Sequence, residues 1–213
     1  MKSYIPTYAF EGYINEGHEC FGSCPVNNKN LIDIGITGWL LREDALKLYE
    51  LAYYSPGDIL ELGTNQGLST YIISKAIKDS GGKKRLITVD LNSYYARMAE
   101  KNMTKRGLNG NVGFFVRDAT SLCRKLIDEG RKFSFVFVDH SHEYQPVFEV
   151  CQLMEKLIYP RGLCLFHDFN DTKNNDPENK DYGVSQAVFE GLPMDRFEFH
   201  GIFGCTALYR ARL

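Results

Sequence analysis

The sequence predicts an α/β fold, a doubly wound and mostly parallel seven-stranded sheet closed by an antiparallel C-terminal hairpin. Three observations carry this. Short apolar runs alternate with amphipathic stretches of helical length from residue 58 to residue 166, the pattern of βαβ units with helices on both faces of a parallel sheet. Two strand-like runs, Arg196 to Phe203 and Thr206 to Arg210, are separated only by Gly204-Cys205, so they must pair antiparallel. The 213 residues, 44% hydrophobic and 24% charged, fill one sizeable core rather than two.

Each element has its own signal. Residues 1–30 are rich in Gly, Asn and aromatics without periodicity and read as an irregular arm or lid, leaving 31–213 as the folded domain. Leu41, Ala45, Leu48, Leu51 and Ala52 fall at helical spacing, predicting an amphipathic helix over 40–53 that Ser55-Pro56-Gly57 breaks. Asp58 to Leu62 is a buried first strand. A helix over Ser69 to Lys78 ends at Gly81-Gly82, and Arg85 to Val89 is the second strand. A helix over Tyr95 to Arg106 leads to a third strand, Val112 to Val116, and a helix over Ser121 to Glu129. The run Phe133 to Val138 is β-branched and aromatic, a central strand. A helix over Val147 to Leu157 precedes Pro160-Arg161-Gly162 and a fifth strand, Leu163 to Phe166. The polar stretch Asn170 to Asp181 is a surface loop.

Bulk properties narrow the function. A net charge of −2 gives no basic surface for nucleic acid. No apolar run reaches the ~20 residues that span a bilayer. The N-terminal residues lack a signal-peptide pattern, so a cytoplasmic protein is expected. Cys123, Cys151 and Cys164 sit in apolar segments and read as core residues. His18, Cys20 and Cys24 form H-x-C-x-x-x-C, but no second ligand pair follows at a zinc-like spacing, and a chain of this size does not need a disulfide framework.

Chemistry in an open α/β sheet sits at the carboxyl ends of the strands. Here all five carry an acid: Glu61, Asp90, Asp118, Asp139 with His140, and Asp168 with His167. Asp also favours loops and caps, which is the plainer account of any one of them. The first strand runs into E-L-G-T-N-Q-G-L-S-T, where Gly63 and Gly67 let the backbone turn sharply and approach a ligand. The spacing E-x-G-x-x-x-G is neither the dinucleotide G-x-G-x-x-G nor the phosphate loop. Asp90 is placed to accept from ribose hydroxyls.

At these residues the chain resembles the class I methyltransferases that use S-adenosylmethionine (SAM), from roughly Gly38 to the C-terminus, and a Rossmann-like sheet is what that resemblance implies. It implies that Glu61, Gly63, Thr64, Gly67 and Ser69 surround the methionine part of SAM, Asp90 and Leu91 the ribose, and Asp118 and Ala119 the adenine, with Asp139 at the cofactor too. The stretches FVFVDHSHEY and GLCLFHDF, with the Gly38-Trp39-Leu40 entry, resemble metal-dependent O-methyltransferases of the catechol and caffeoyl-CoA type and of the macrocin type. That likeness implies a divalent metal (Mg, Mn or Fe) on Asp139, His167 and Asp168, and puts His142 where catechol-type enzymes keep a lysine base. His167 departs from the all-oxygen set that Mg prefers; its plainer role, like that of His140, is to hydrogen-bond and shape the pocket.

The expected reaction is methyl transfer to a hydroxyl of a small molecule (a sugar, phenol or secondary metabolite). His142 or His140 would serve as base, or a cation on Asp139 would lower the hydroxyl's pKa. The arm and the 170–181 loop would close over the acceptor, with Tyr144 either a wall of that pocket or a packing residue. No nucleic-acid or membrane partner is expected; a homodimer is left open. The rival readings are a metal-dependent oxygenase or hydroxylase on a similar fold and a non-catalytic cofactor-binding module. The glycine spacing disfavours an NAD-dependent dehydrogenase.

Overall fold

A computed structural model describes residues 14–176 and 178–213. The element order is α1 (Glu16–Ser23), α2 (Arg42–Tyr54), β1 (Ile59–Leu62), α3 (Leu68–Asp79), β2 (Leu86–Asp90), α4 (Ser93–Lys105), β3 (Val112–Val116), α5 (Ala119–Asp128), β4 (Phe133–Val138), α6 (Tyr144–Leu157), β5 (Ile158–Phe166), a 3-10 turn (Thr172–Asn175), α7 (Val184–Gly191), β6 (Phe197–Phe203) and β7 (Thr206–Ala211). One sheet holds all seven strands in the order β3-β2-β1-β4-β5-β7-β6. β1 to β5 pair in parallel. β7 runs antiparallel to both β5 and β6, as the tight Gly204-Cys205 link requires. The predicted fold class therefore stands.

Two apolar layers sandwich the sheet. Side chains alternate along a strand, so Leu60, Leu62, Val136 and Val138 face the layer built with α5, α6 and α7. Ile59, Phe135 and Phe137 face the layer of α1, α2 and α3. All six residues of β4 are buried, as a strand covered on both faces must be. Each buried Phe there contributes roughly 1.5–3 kcal/mol by transfer from water. Cys123, Cys151 and Cys164 are fully buried in this core, as expected.

Three boundaries differ from expectation. The segment 1–30 is not irregular throughout: Asn15 caps α1 by accepting from His18 N–H at 2.9 Å, and Phe21 packs on Tyr49 and Tyr71. Residues 1–13 lie outside the described residues. α1 also holds Cys20 exposed while His18 and Cys24 are buried, so the H-x-C-x-x-x-C run does not present one face. β5 starts at Ile158 rather than Leu163, because Phe133 pairs with Ile158 and Phe135 with Leu163. Residues 159–162 form a bulge in β5 between those pairs, with Arg161 at φ 65°. Finally, α7 fills a span left unassigned above. Its buried Val184, Ala187, Val188 and Gly191 do follow helical spacing.

Among the described residues, no helix is long and apolar enough to cross a membrane.

Candidate active site at the carboxyl ends of the strands

The register of the parallel strands brings the predicted acids together. Asp139 N–H donates to Leu62 carbonyl at 2.7 Å, and His167 N–H to Val138 carbonyl at 3.0 Å. The ends of β1, β4 and β5 are thus stapled side by side. Gly63 has φ +100°, and a Cβ there would collide with the Asp139 carbonyl, so the β1 turn can lie against the β4 end only as glycine. Gly67 starts α3 at φ +90°.

Asp90 is held from two sides. Its Oδ2 accepts from Asn65 N–H and its Oδ1 from Asn92 N–H, each at 2.7 Å. These bonds leave lone pairs toward a cavity of about 1200 Å³ that runs from Gly63, Asp90 and Leu91 to Asp139, His140, His142, His167 and Asp168. That volume exceeds the ~300–1,000 Å³ of ordinary small-ligand pockets and gives room for two small molecules side by side. Leu91, 76% exposed, is an apolar shelf at its mouth.

The remaining predicted cofactor residues stand elsewhere. Glu61 is fully buried behind the turn and accepts from Thr70 Oγ1 at 2.6 Å. Burial raises its pKa to about 7, which the neighbouring hydroxyls only partly offset. Thr64 shares a hydrogen bond with Thr88, 2.6 Å between hydroxyls, and Ser69 is buried in α3. These residues and Gly67 support the loop from behind. Asp118 caps α5, accepting from Ser121 N–H at 2.8 Å, and Ala119 is buried in that helix's first turn. Neither is among the residues lining the cavity, and the cap uses only Oδ1 of the exposed Asp118 carboxylate. Tyr144 is a packing residue: it stacks on Phe148 and donates to Glu190 at 2.7 Å.

The other end of the cavity is a cluster of imidazoles and carboxylates. His142 Nε2 stands 3.0 Å from Asp168 Oδ2. His167 Nδ1 stands 3.0 Å from the same oxygen and 3.1 Å from Asp139 Oδ1. Burial pulls the His167 pKa down, but Asp139 and Asp168 outweigh it and hold the imidazole well above its ordinary value. Contact with Asp168 raises His142, against a smaller pull from burial. Burial works to raise Asp168, yet the two imidazoles keep it far below the usual carboxylate range. His140 differs. Burial lowers its pKa, its Nε2 meets the Pro146 carbonyl at 3.3 Å, and it lines the cavity.

The atoms that could hold a cation converge differently from expectation. Ligand atoms of Asp139, His142 and Asp168 lie within 4.8 Å of one another. His142 takes the third place in that set, while His167 lies inward, 5% exposed at the side chain, against both carboxylates. Two carboxylates and an imidazole suit Mn, Fe or Zn better than Mg, so the donor set fits a divalent transition metal.

Several lining residues carried no clear signal in the sequence. Lys173, Asp181 and Tyr182 come from the 170–181 loop and its end, which does border the cavity as expected. Tyr182 stacks on His142 with centroids 4.7 Å apart at 21°. Lys173 lies over the Tyr182 ring at 4.5 Å. Trp39, the single tryptophan and 61% exposed, and Tyr95 complete the rim.

The chain is similar to known proteins of one kind. A family model described as "Methyltransferase domain" matches residues 60–169. A catechol O-methyltransferase of Niastella koreensis is 35% identical over 83 residues, 38% of this chain and 36% of that protein. A probable caffeoyl-CoA O-methyltransferase of Dictyostelium discoideum is 28% identical over 107 residues, 49% and 44% of the two chains. The chain therefore spans less than half the length of these relatives. Among solved structures, the O-methyltransferase TomG of Streptomyces achromogenes, in complex with SAM, aligns with TM-score 0.69 at 22% identity over 82% of each chain. An O-methyltransferase of Bacillus cereus in complex with SAH gives 0.63 at 18%, covering 79% of this chain and 78% of that one. At those identities the likeness establishes the fold.

Proposed function

The chain belongs to the methyltransferase-domain family, and from that premise we propose that it transfers a methyl group from SAM to a hydroxyl of a small molecule. One observation carries the reading: a single cavity joins the Gly63 turn and Asp90 to the His142–Asp168 pair. Family membership favours this over the oxygenase and the non-catalytic module.

SAM supplies a methyl group already activated by its sulfonium, so the protein's task is to align and to manage one proton. Asp90, pinned by Asn65 and Asn92, accepts from the ribose hydroxyls. The Gly63 backbone turns closely around the methionine end. The acceptor's hydroxyl gives its proton to His142 at Nδ1, because Nε2 faces Asp168, which orients the ring and stabilises the imidazolium. Tyr182 covers the face of that ring, and Trp39 and Tyr95 wall the acceptor.

A second reading of the same end rests on the convergence of Asp139, His142 and Asp168. A divalent cation on those three would lower the pKa of a hydroxyl bound beside it, and His142 would then be a ligand rather than a base.

Calorimetric titration with SAM tests the cofactor, and transfer of labelled methyl to catechol and caffeoyl-CoA, with and without chelator, tests the chemistry. One SAM site and labelled product are expected. A protein that binds no SAM overturns the proposal. Transfer unchanged by chelation leaves His142 as the base, and transfer abolished by it favours the cation.

A further inference from the structure

Asp44 meets three partners from separate parts of the chain. Its Oδ2 accepts from Leu41 N–H at 2.9 Å, which starts α2. Its Oδ1 accepts from Cys205 N–H at 2.8 Å, in the turn between β6 and β7. Gly204 in that turn has φ +58°, and a Cβ there would press on the same carboxylate. The third partner is His167, whose Nε2 stands 3.9 Å from Asp44 Oδ2, too far for a hydrogen bond but close enough for charge to act.

The charge is the telling part. Asp44 is 1% exposed, and burying a carboxylate costs several kcal/mol. An acid at this place in the first turn of α2 suits the capping box and the helix dipole, but neither role requires it to be buried beside an imidazole. Among the described residues, the one ion-pair contact of Asp44 is His167. The opposite edge of that ring meets Asp139 and Asp168 at 3.1 and 3.0 Å, and Asp168 in turn meets His142.

We propose that Asp44 is a positioning residue of the site. It holds the His167 ring with Nδ1 turned to Asp139 and Asp168, and so fixes both carboxylates and, through Asp168, His142. Asp44 thereby ties the loop that carries Trp39, just before α2, and the β6–β7 turn to the reacting end of the cavity. This rests on reading that end as the place where the proton or cation is handled.

A double-mutant cycle tests it, with Mn²⁺ as the probe and binding measured by calorimetry on the whole chain. Asp44→Asn and His167→Asn are each expected to weaken Mn²⁺ binding about 10–100-fold, the range for partners lying behind metal ligands. The double variant should be no weaker than His167→Asn alone within about 3-fold, because Asp44 acts through His167. SAM affinity should stay within about 3-fold as the internal control for folding. Fold-changes that multiply, or an unchanged Asp44→Asn, overturn the proposal.

A wild-type protein that binds no Mn²⁺ removes the cation reading alone, and NMR of the histidine rings then decides. Asp44→Asn must move the ring resonances of both His167 and His142. Thr206→Val, which removes a hydroxyl bond to the Phe203 carbonyl in the same turn, must leave them in place. Equal movement in the two variants overturns the proposal.

Discussion

Tyr182 lies flat on His142, ring centroids 4.7 Å apart at 21°, and so joins the loop after β5 to the imidazole that faces Asp168. His142 is half exposed at its side chain, so Asp168 fixes one edge of the ring and Tyr182 one face. An aromatic pair contributes roughly 0.5–1.5 kcal/mol beyond its buried area. Tyr182→Ala is therefore expected to lower kcat about 3- to 10-fold with SAM affinity unchanged, and Tyr182→Phe to retain most of the rate. Steady-state kinetics beside SAM calorimetry checks this, and equal losses in both variants would show that the hydroxyl, not the stack, matters.

Asp90 gives a sharper expectation for the cofactor. Hydrogen bonds to a charged group contribute about 1.5–3 kcal/mol, so Asp90→Ala should weaken SAM binding on the order of 10–100-fold. Asp90→Asn keeps the shape and one acceptor for the Asn65 or Asn92 N–H, and should fall between. Unchanged affinity in Asp90→Ala would remove the ribose role.

Much of this was legible in the sequence because period and spacing are local properties. The strand and helix order, the hairpin at Gly204-Cys205 and the acids at the strand ends all follow from runs of residues, and they put Gly63, Asp90, Asp139, His142 and Asp168 around one cavity. What the sequence hides is how a shared motif's atoms are spent. Asp118 looks like another strand-end acid, yet its carboxylate closes the first turn of α5. His167 looks like a ligand, but β5 sends it inward, where Asp44 from α2 waits some 120 residues away in sequence, a contact no spacing rule predicts. Only the tertiary packing of α2 on the β6–β7 turn brings that acid there.

Gly63 tests the loop geometry itself. Its φ of +100° is one that side chains rarely adopt, and a Cβ would run into the Asp139 carbonyl backbone rather than a movable side chain. Gly63→Ala must displace the β1 turn from the β4 end, at a cost of order 1–3 kcal/mol or more. The expected result is a lower Tm by several degrees together with loss of SAM binding. A variant of normal Tm that still binds SAM would contradict the close approach.

Glu61 predicts a pH dependence of stability. The carboxyl is fully buried, its Oε1 has no hydrogen-bond partner among the described residues, and burial lifts its pKa from 4.5 to about 7. The folded protein therefore holds this proton more tightly than the unfolded chain does. Its stabilising effect is complete below pH 4.5, declines as the pH rises, and is gone above about pH 7, a swing of roughly 3 kcal/mol. Glu61→Gln removes the titration while keeping an acceptor for Thr70. Variant and wild type should differ least favourably for the variant at pH 4.5, and the difference should move in the variant's favour up to about pH 7, then level off. Asp44, also raised by burial, to about 6, titrates in both proteins and cancels from the difference. Denaturant unfolding of the two proteins between pH 4.5 and 8 measures this directly, and a difference independent of pH would mean that Glu61 ionises in the folded protein as readily as in the unfolded chain.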